Sequence, residues 1–315
     1  MVLMDTPVIV ISGPTGSGKT DIASHLCAAL NGEIISSDSR QVYNYLDAGT
    51  NKAGVYDSAR RVRVTTEGIP QHLTDVIDPD KSFSAGEFVA EAGRIIGELK
   101  SLGKTPVVTG GTGLYIKALV HGLARLPEAD AGIRRELKNE LEAGGVERLY
   151  RSLKAVDPLS AEKNRSNPQR LVRALEVYRL TGKPISAWHE STQKPVGRFL
   201  EFVIDREREE LYSNINERSR LMLGNGMVEE TRKVLSLGFA ADCPGLGSLG
   251  YRHVISHLQG ALTLEETAGL IALDTRHYAK RQMTWFRNAG GASRIGVKKN
   301  SFSAAEIAKR INNMI

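Results

Sequence analysis

Residues 8–20 read VIVISGPTGSGKT, an apolar run followed by Gly13-Pro14-Thr15-Gly16-Ser17-Gly18-Lys19-Thr20. The run Val8–Ser12 predicts a strand buried on both faces. The next eight residues match the phosphate-binding pattern G-x-x-x-x-G-K-T in its required context, strand before and helix after. Glycines let the backbone wrap closely enough for several N–H groups to converge on one set of phosphate oxygens. Lys19 adds a mobile positive charge, the Thr20 hydroxyl suits Mg2+, and the following helix sets its positive end beneath the anion. A chain built this way binds a diphosphate or triphosphate. It does not follow that this group belongs to a nucleotide.

The first 120 residues alternate strand and helix. After Val8–Ser12, the stripe Ile22, Leu26 and Leu30 predicts a helix over Thr20–Leu30, and Glu33–Ser37 reads as a second strand ending at Asp38. Ser84 and Glu87 form a capping box that opens a helix carrying Phe88, Ile95, Ile96 and Leu99. Thr105–Thr109 is a third strand, broken by Gly110-Gly111 before a helix near Leu114. Such alternation predicts a parallel sheet covered by helices on both faces, with ligands at the carboxyl ends of the strands. The phosphate loop, Asp38 and Thr112 all fall at such ends and should surround one cleft.

Past Leu126-Pro127 the pattern is helical alone: Arg134–Ala143, Val146–Val156 and Pro168–Thr181, the last stopped by Gly182 and Pro184. Phe199–Ile204 returns to the sheet, and long helices follow near Glu209–Leu223, Met227–Leu237 and Leu264–Arg287. The expected fold is α/β, a P-loop NTPase-like parallel sheet flanked by helices. Residues 1–127 and 199–315 form that core, and a helical insertion domain spans 128–198.

At 315 residues, 41% hydrophobic and 25% charged, the chain can bury a large core and is not a disordered one. Cys27 and Cys243 are too few and too far apart for a disulfide framework or a zinc site. The N-terminus enters a core strand at once, leaving no room for a signal peptide. No apolar run approaches the roughly 20 residues that span a bilayer. A cytoplasmic setting with no membrane partner is expected. The net charge of +6 is concentrated: Arg134 to Arg198 holds 14 Lys and Arg against 8 Asp and Glu, so the rest of the chain is neutral. A basic segment on a neutral phosphate-binding core suits a polyanion, most simply nucleic acid, although a solvated helical face has the same composition.

Four further segments could carry chemistry. In Ser36-Ser37-Asp38-Ser39-Arg40-Gln41-Val42-Tyr43, Asp38 stands where a base or metal partner would be placed, but also where an Asx-turn or helix cap would occur. Gly110-Gly111-Thr112-Gly113-Leu114-Tyr115 is a second glycine-rich turn, able to approach a ligand or merely to turn tightly. Asn167-Pro168-Gln169-Arg170-Leu171-Val172-Arg173 opens a helix on which Gln169 and Arg173 share a face suited to base edges and phosphates. Thr275 to Arg287 interleaves basic and aromatic residues. Arg276, Lys280 and Arg287 should line one side, with Tyr278, Trp285 and Phe286 packed inward, as an amphipathic core helix would also arrange them. His253 and His257 are four apart but lack an adjacent Glu and a third ligand, so they read as satisfied histidines. Trp188 and Trp285 read as packing residues.

In this order, GPTGSGKT (13–20), SDSRQVY (37–43), GGTGLY (110–115), RALEVYRLTGKPIS (173–186) and TRHYAKRQMTWFR (275–287) resemble the bacterial tRNA dimethylallyltransferases over nearly the whole chain. The resemblance implies transfer of a dimethylallyl group from its diphosphate to N6 of adenosine 37, beside the tRNA anticodon. It implies Asp38 as the base that takes the amine proton, with Thr112 bonding the diphosphate or the adenosine. The phosphate loop, Lys19, Arg218 and Mg2+ (held by Thr20) would neutralise the departing diphosphate. Contacts to the anticodon stem-loop are implied at Asp38, Ser39, Arg40, Gln41 and Thr112, and at Arg134, Gln169, Arg170, Leu171, Val172 and Arg173 of the insert. Arg276, Lys280 and Arg281 complete that set. A monomer is the expected form. The chain departs from the family pattern at Gly16, where Ala is usual, and at Asn51-Lys52-Ala53 in the 48–60 loop, where Ala-Lys-Pro is usual. A small-molecule kinase using ATP is the main alternative, and a regulatory nucleic-acid-binding ATPase-like module is the third. Neither a need for the basic insert in a kinase nor an apolar run ending in Asp after the third strand is evident, since TPVVTGG occupies that place.

Overall fold

The apolar run Val8–Ser12 becomes β1, and all five residues are buried. In the computed structural model, which describes residues 6–189, 197–297 and 301–315, it lies inside an eight-stranded sheet. The other strands are β2 (Gly32–Ser36), β3 (Val55–Asp57), β4 (Val62–Val64), β5 (Pro70–His72), β6 (Thr105–Gly110), β7 (Phe199–Arg206) and β8 (Ser293–Val297). Their order is β3-β4-β5-β2-β6-β1-β7-β8. From β5 to β8 all pairings are parallel; β3, β4 and β5 pair antiparallel at one edge. β1 pairs with β6 (Ile9 opposite Val107) and with β7 (Val8 opposite Phe199), so all three carboxyl ends open on one side.

Alternation along β1 sorts the core into two layers. Val8 and Val10, with Ile35 and Val108, pack under α2 (Ala85–Ser101) and α3 (Gly113–His121) through Phe88, Ile96, Ile116 and Leu119. Ile9 and Ile11, with Ile34 and Val107, pack under α1 (Lys19–Leu30) and α12 (Ala304–Asn312) through Ile22, Leu26, Ile307 and Ile311. Each fully buried Ile or Leu contributes roughly 1.5–3 kcal/mol, which is why this face-to-face alternation fixes the strand's register. The capping box of α2 forms as the sequence indicates: Glu87 N–H donates to Ser84 Oγ at 3.2 Å and Ser84 N–H to Glu87 Oε2 at 2.7 Å. A third cluster joins Val42, Tyr43 and Leu46 to α9 (Val228–Ser236), α10 (Tyr251–Leu258) and α11 (Leu264–Arg287). Between α8 (Arg208–Met222) and α9 the chain makes one wide turn, Leu223–Met227, with Gly226 in the left-handed region at φ 96°.

The chain divides into two compact units, Met1–Val120 with Val196–Ile315, and His121–Pro195. Among the described residues the regular elements of the second unit are helices: α4 (Ala131–Val156), α5 (Pro158–Asn164), α6 (Pro168–Thr181) and α7 (Ile185–His189). Leu137, Leu149, Leu153, Leu171 and Leu175 form its own core. Gly145, at φ 67° and ψ −179°, breaks α4 where the sequence predicts two helices, and Gly182 at φ 68° ends α6. Among the described residues no helix is long and apolar enough to cross a membrane.

Candidate active site

The phosphate loop leaves the carboxyl end of β1 and enters α1 at Lys19. Gly16 and Gly18 have φ of 81° and 82°, left-handed values that disfavour side chains. Gly18 is also tightly packed, because a Cβ there would fall 2.2 Å from the Phe302 ring. The loop encloses an orphan: Ser17 Oγ is buried without a hydrogen-bond partner among the described residues. Lys19 Nζ donates to the carbonyl of Pro14 at 2.7 Å, and burial pushes its pKa from 10.5 down to about 8, against the attraction of Asp38. Burial also lowers the pKa of Arg218, on α8, and Asp38 again opposes the shift. The Arg218 guanidinium donates to Thr15 Oγ1. Asn214 Nδ2, one turn earlier, donates to the Gly16 carbonyl at 3.1 Å.

Asp38 follows β2 and reaches the same cleft, about 360 Å³ in volume and lined also by Thr15, Lys19, Thr20, Arg40, Gln41 and Arg218. Its Oδ1 accepts from the Arg40 N–H at 2.9 Å, so the Asx-turn and the cleft carboxylate are one arrangement. Thr112, expected at the cleft, is not among the residues that line it; it holds the segment after Asp38, accepting from the Ser39 N–H at 3.0 Å and donating to Ser39 Oγ at 3.3 Å, while Gly110 and Gly111 form the lining. Arg40 reaches Ser248 Oγ at 3.5 Å. Gln41 Oε1 accepts from Ser36 Oγ at 3.0 Å. The glycines beside Thr112 permit close approach, since a Cβ on Gly110 would fall 2.1 Å from the Ser37 carbonyl oxygen.

Sequence reasoning missed the part that ties these loops together. Gln282 of α11 is buried; its Oε1 accepts from the Thr15 N–H at 2.8 Å, and its Nε2 donates to the Gly111 carbonyl at 2.8 Å. One amide thus links the phosphate loop to the second glycine-rich turn. The signal was a polar residue on the inward stripe Thr275, Ala279, Gln282 and Phe286. Tyr278 also lines the cleft, its phenol pushed up to about 12 by burial and then by Asp38. Arg276 donates to Asn216, while Lys280 and Arg281 are exposed. Trp285 departs from the expected inward packing: 37% exposed, it lies against Gly113, where any Cβ would fall 2.2 Å from Nε1.

In the insert the expected contact residues differ in how far they are already committed to the fold. Leu171 is fully buried in the helical core, so the expectation that it presents a face to RNA does not hold; Val172 is half-buried against that core. Arg173 donates to Glu176 Oε2 and to the Pro127 carbonyl, both at 2.6 Å, and Arg134 Nε lies 2.8 Å from Glu176 Oε1. Glu176 is fully buried, so both arginines, with the Asp130 N–H, compensate a carboxylate removed from water. Gln169 and Arg170 remain exposed, with Arg170 Nη1 donating weakly to Asn164 Oδ1 at 3.4 Å. His253 pairs with Asp274 Oδ2 at 2.8 Å and His257 with the Leu262 carbonyl at 2.8 Å, as satisfied histidines should.

The sequence profile described as IPP transferase matches residues 41–289. The chain is 49% identical over 282 residues to a tRNA dimethylallyltransferase of Endomicrobium trichonymphae, covering 89% of this chain and 91% of that one. It is 40% identical to the tRNA dimethylallyltransferase of Geobacter sulfurreducens, over 97% and 96% of the two chains. Among solved structures it superposes on the full-length tRNA isopentenylpyrophosphate transferase of Bacillus halodurans with a TM-score of 0.68 at 34% identity, covering 98% and 96%. A eukaryotic dimethylallyltransferase acting on tRNA gives a TM-score of 0.76 at 27% identity, over 93% and 74%. The profile begins at residue 41, beyond the phosphate loop and Asp38, but the pairings over 97% and 98% of this chain take in the loop, and nothing in them favours a kinase. With sequence and fold in agreement along almost its whole length, the chain belongs to the IPP transferase family.

Proposed function

We propose that this protein moves a dimethylallyl group from dimethylallyl diphosphate to N6 of adenosine 37 in tRNA, in the cytoplasm. The observation that carries the reading is the convergence of Asp38, Lys19 and Arg218 on one cleft beside the phosphate loop. The diphosphate would lie on the loop, where the Ser17 hydroxyl lacks a partner among the described residues and the half-buried cations Lys19 and Arg218 face the cleft. Met222, Leu249 and Ile271 on the cleft wall suit a five-carbon chain. In the transfer, the bond between C1 of the dimethylallyl group and the bridging oxygen breaks, and diphosphate leaves with the electron pair. The N6 lone pair forms the new bond. Because that lone pair is delocalised into the ring, removing the amine proton as the bond forms lowers the barrier, and Asp38 accepts it. Lys19, Arg218 and the loop amides neutralise the charge that develops on the leaving group.

Mg2+ fits this donor set. Among the described residues there is no cluster of three or more His, Cys, Asp or Glu, but Mg2+ commonly takes one or two protein oxygens and completes its shell with phosphate and water. The Thr20 hydroxyl would hold it, and when bound it supplies further neutralisation of the diphosphate. The target base belongs to a loop and must be splayed out to enter the cleft. Incubation with dimethylallyl diphosphate, Mg2+ and unmodified tRNA should give N6-dimethylallyladenosine, read by nucleoside mass. Prenylation of free AMP with none of tRNA would redirect the acceptor to a small molecule, and phosphate transfer from ATP would restore the kinase.

A further inference from the structure

Glu230 stands on α9, far in sequence from every motif above, and its carboxylate is the most heavily used acceptor near the cleft. It accepts the backbone N–H groups of Asp47, Ala48 and Gly49 at 2.5, 2.7 and 3.2 Å, and the Tyr251 hydroxyl at 2.6 Å. Three successive amides converging on one anion form a nest, a geometry that fixes the backbone presenting them. Burial and the neighbouring Glu230 raise the Tyr251 phenol well above its ordinary value, so it remains a donor. Gly49 is pressed against it: a Cβ there would fall 2.5 Å from the Tyr251 hydroxyl oxygen.

What the nest holds is a wall of the cleft. Gly49, Thr50 and Asn51 line the cavity together with Gln41. The carbonyls of Thr50 and Asn51 each accept from Gln41 Nε2 at 3.3 Å, while Gln41 Oε1 accepts from Ser36 and from Gln71 Nε2 at 3.3 Å. Gln41 lies three residues beyond Asp38. The same loop has a second anchor, since Asp47 pairs with Lys52 at 2.9 Å and Arg63 at 2.8 Å. Loss of Glu230 would therefore loosen the wall without releasing the loop altogether. None of these groups belongs to the phosphate loop.

We propose that Glu230 is a positioning residue for the acceptor side of the cleft, acting through the Asp47–Gly49 amides to set Thr50, Asn51 and Gln41 for the incoming tRNA base. This rests on the proposed tRNA prenylation for its kinetic consequence, though the nest itself does not. Glu230→Gln turns one acceptor oxygen into a donor and cannot satisfy the same four donors.

The test compares full-length wild type, Glu230→Gln and Tyr251→Phe by tRNA kcat/KM, by calorimetric affinity for dimethylallyl diphosphate, and by amide hydrogen exchange. Glu230→Gln should lower kcat/KM for tRNA about tenfold, in line with loss of charge-assisted hydrogen bonds. Its diphosphate affinity should stay within about twofold, and protection should fall at the amides of residues 47–49. Tyr251→Phe keeps the three amides and should lower tRNA kcat/KM by only about threefold; if Glu230→Gln does not fold, this variant carries the comparison. An unchanged tRNA kcat/KM, or equal losses for tRNA and diphosphate, would overturn the positioning role. If wild type transfers nothing to tRNA, the proposed function fails. The exchange data then decide the nest separately: retained protection in Glu230→Gln removes it.

Discussion

Arg218 in the cleft and Arg173 in the insert carry the same charge at positions that both look suited to an anion, yet they are committed differently. Arg218 is half-buried against a neutral hydroxyl, that of Thr15, and the desolvation lowers its pKa. Arg173 is matched to a carboxylate, Glu176, that shares its helix and is fully buried. A half-buried cation whose hydrogen-bond partner is neutral retains its attraction for an incoming anion. One bonded to an internal carboxylate has little left to offer. Counting Lys and Arg in the insert therefore overstates its pull on RNA, whereas the few cations of the cleft are arranged for a ligand.

The sharpest way to break this contrast is at Asp38. Asp38→Asn keeps the shape and the Arg40 contact but cannot take a proton, so prenyl transfer should fall by about 10²–10⁴-fold while tRNA still binds. Single-turnover rates with preformed enzyme–tRNA complex measure this directly. A variant retaining more than about a tenth of the wild-type rate would make Asp38 an orienting group, since loss of a general base costs more than that.

Lys19 comes next, because its pKa gives the cleft a signature the insert lacks. In the fold it titrates near 8 against 10.5 ordinarily, so between these values the unfolded chain binds more protons than the folded one. Stability from this group therefore rises as pH climbs from about 8 towards 10.5, while the positive charge offered to the diphosphate disappears. Melting temperature should increase and affinity for dimethylallyl diphosphate decrease over the same range, and Lys19→Ala should abolish both trends relative to wild type. It should also collapse turnover, since a half-buried charge beside a leaving group acts most strongly as the bond breaks. Parallel pH profiles for the two proteins would remove Lys19 from the diphosphate site.

What the sequence made legible follows the same division. The phosphate loop, the second glycine-rich turn and the helices Pro168–Thr181 and Leu264–Arg287 are local patterns, with caps, periodicity and glycines inside a few residues of one another. The edge strands Val55–Asp57, Val62–Val64 and Pro70–His72 are three residues each, too short for an alternating pattern to register, and exist through their pairing. Gln282 and Glu230 escaped for a related reason. Each acts on backbone groups more than 170 residues away, and a single amide or carboxylate in a helix has no local mark. The pairing of Arg134 and Arg173 with Glu176 was not legible either: the i,i+3 spacing of Arg173 shows on the helix, but the burial of that carboxylate and the approach of Arg134 from another helix do not.

The smallest expected effects sharpen the comparison inside the insert itself. Arg173→Ala removes two contacts of 2.6 Å and leaves Glu176 with Arg134 and the Asp130 N–H alone. Partial loss of compensation for a buried carboxylate should cost about 2 kcal/mol, seen as earlier denaturant unfolding of the full chain. Arg170 is exposed at the start of α6, and among the described residues its guanidinium hydrogen-bonds only Asn164. Arg170→Ala should therefore change stability by no more than about 0.5 kcal/mol. If its guanidinium meets a tRNA phosphate, the plot of log affinity against log salt should flatten by somewhat under one unit, about what one lost phosphate contact removes. Affinity for dimethylallyl diphosphate should not move in either variant. The reverse pattern, a flatter salt slope with unaltered stability for Arg173→Ala and no change for Arg170→Ala, would mean that the Glu176 cluster opens to RNA. The inward pairing would then be a resting arrangement rather than a structural one.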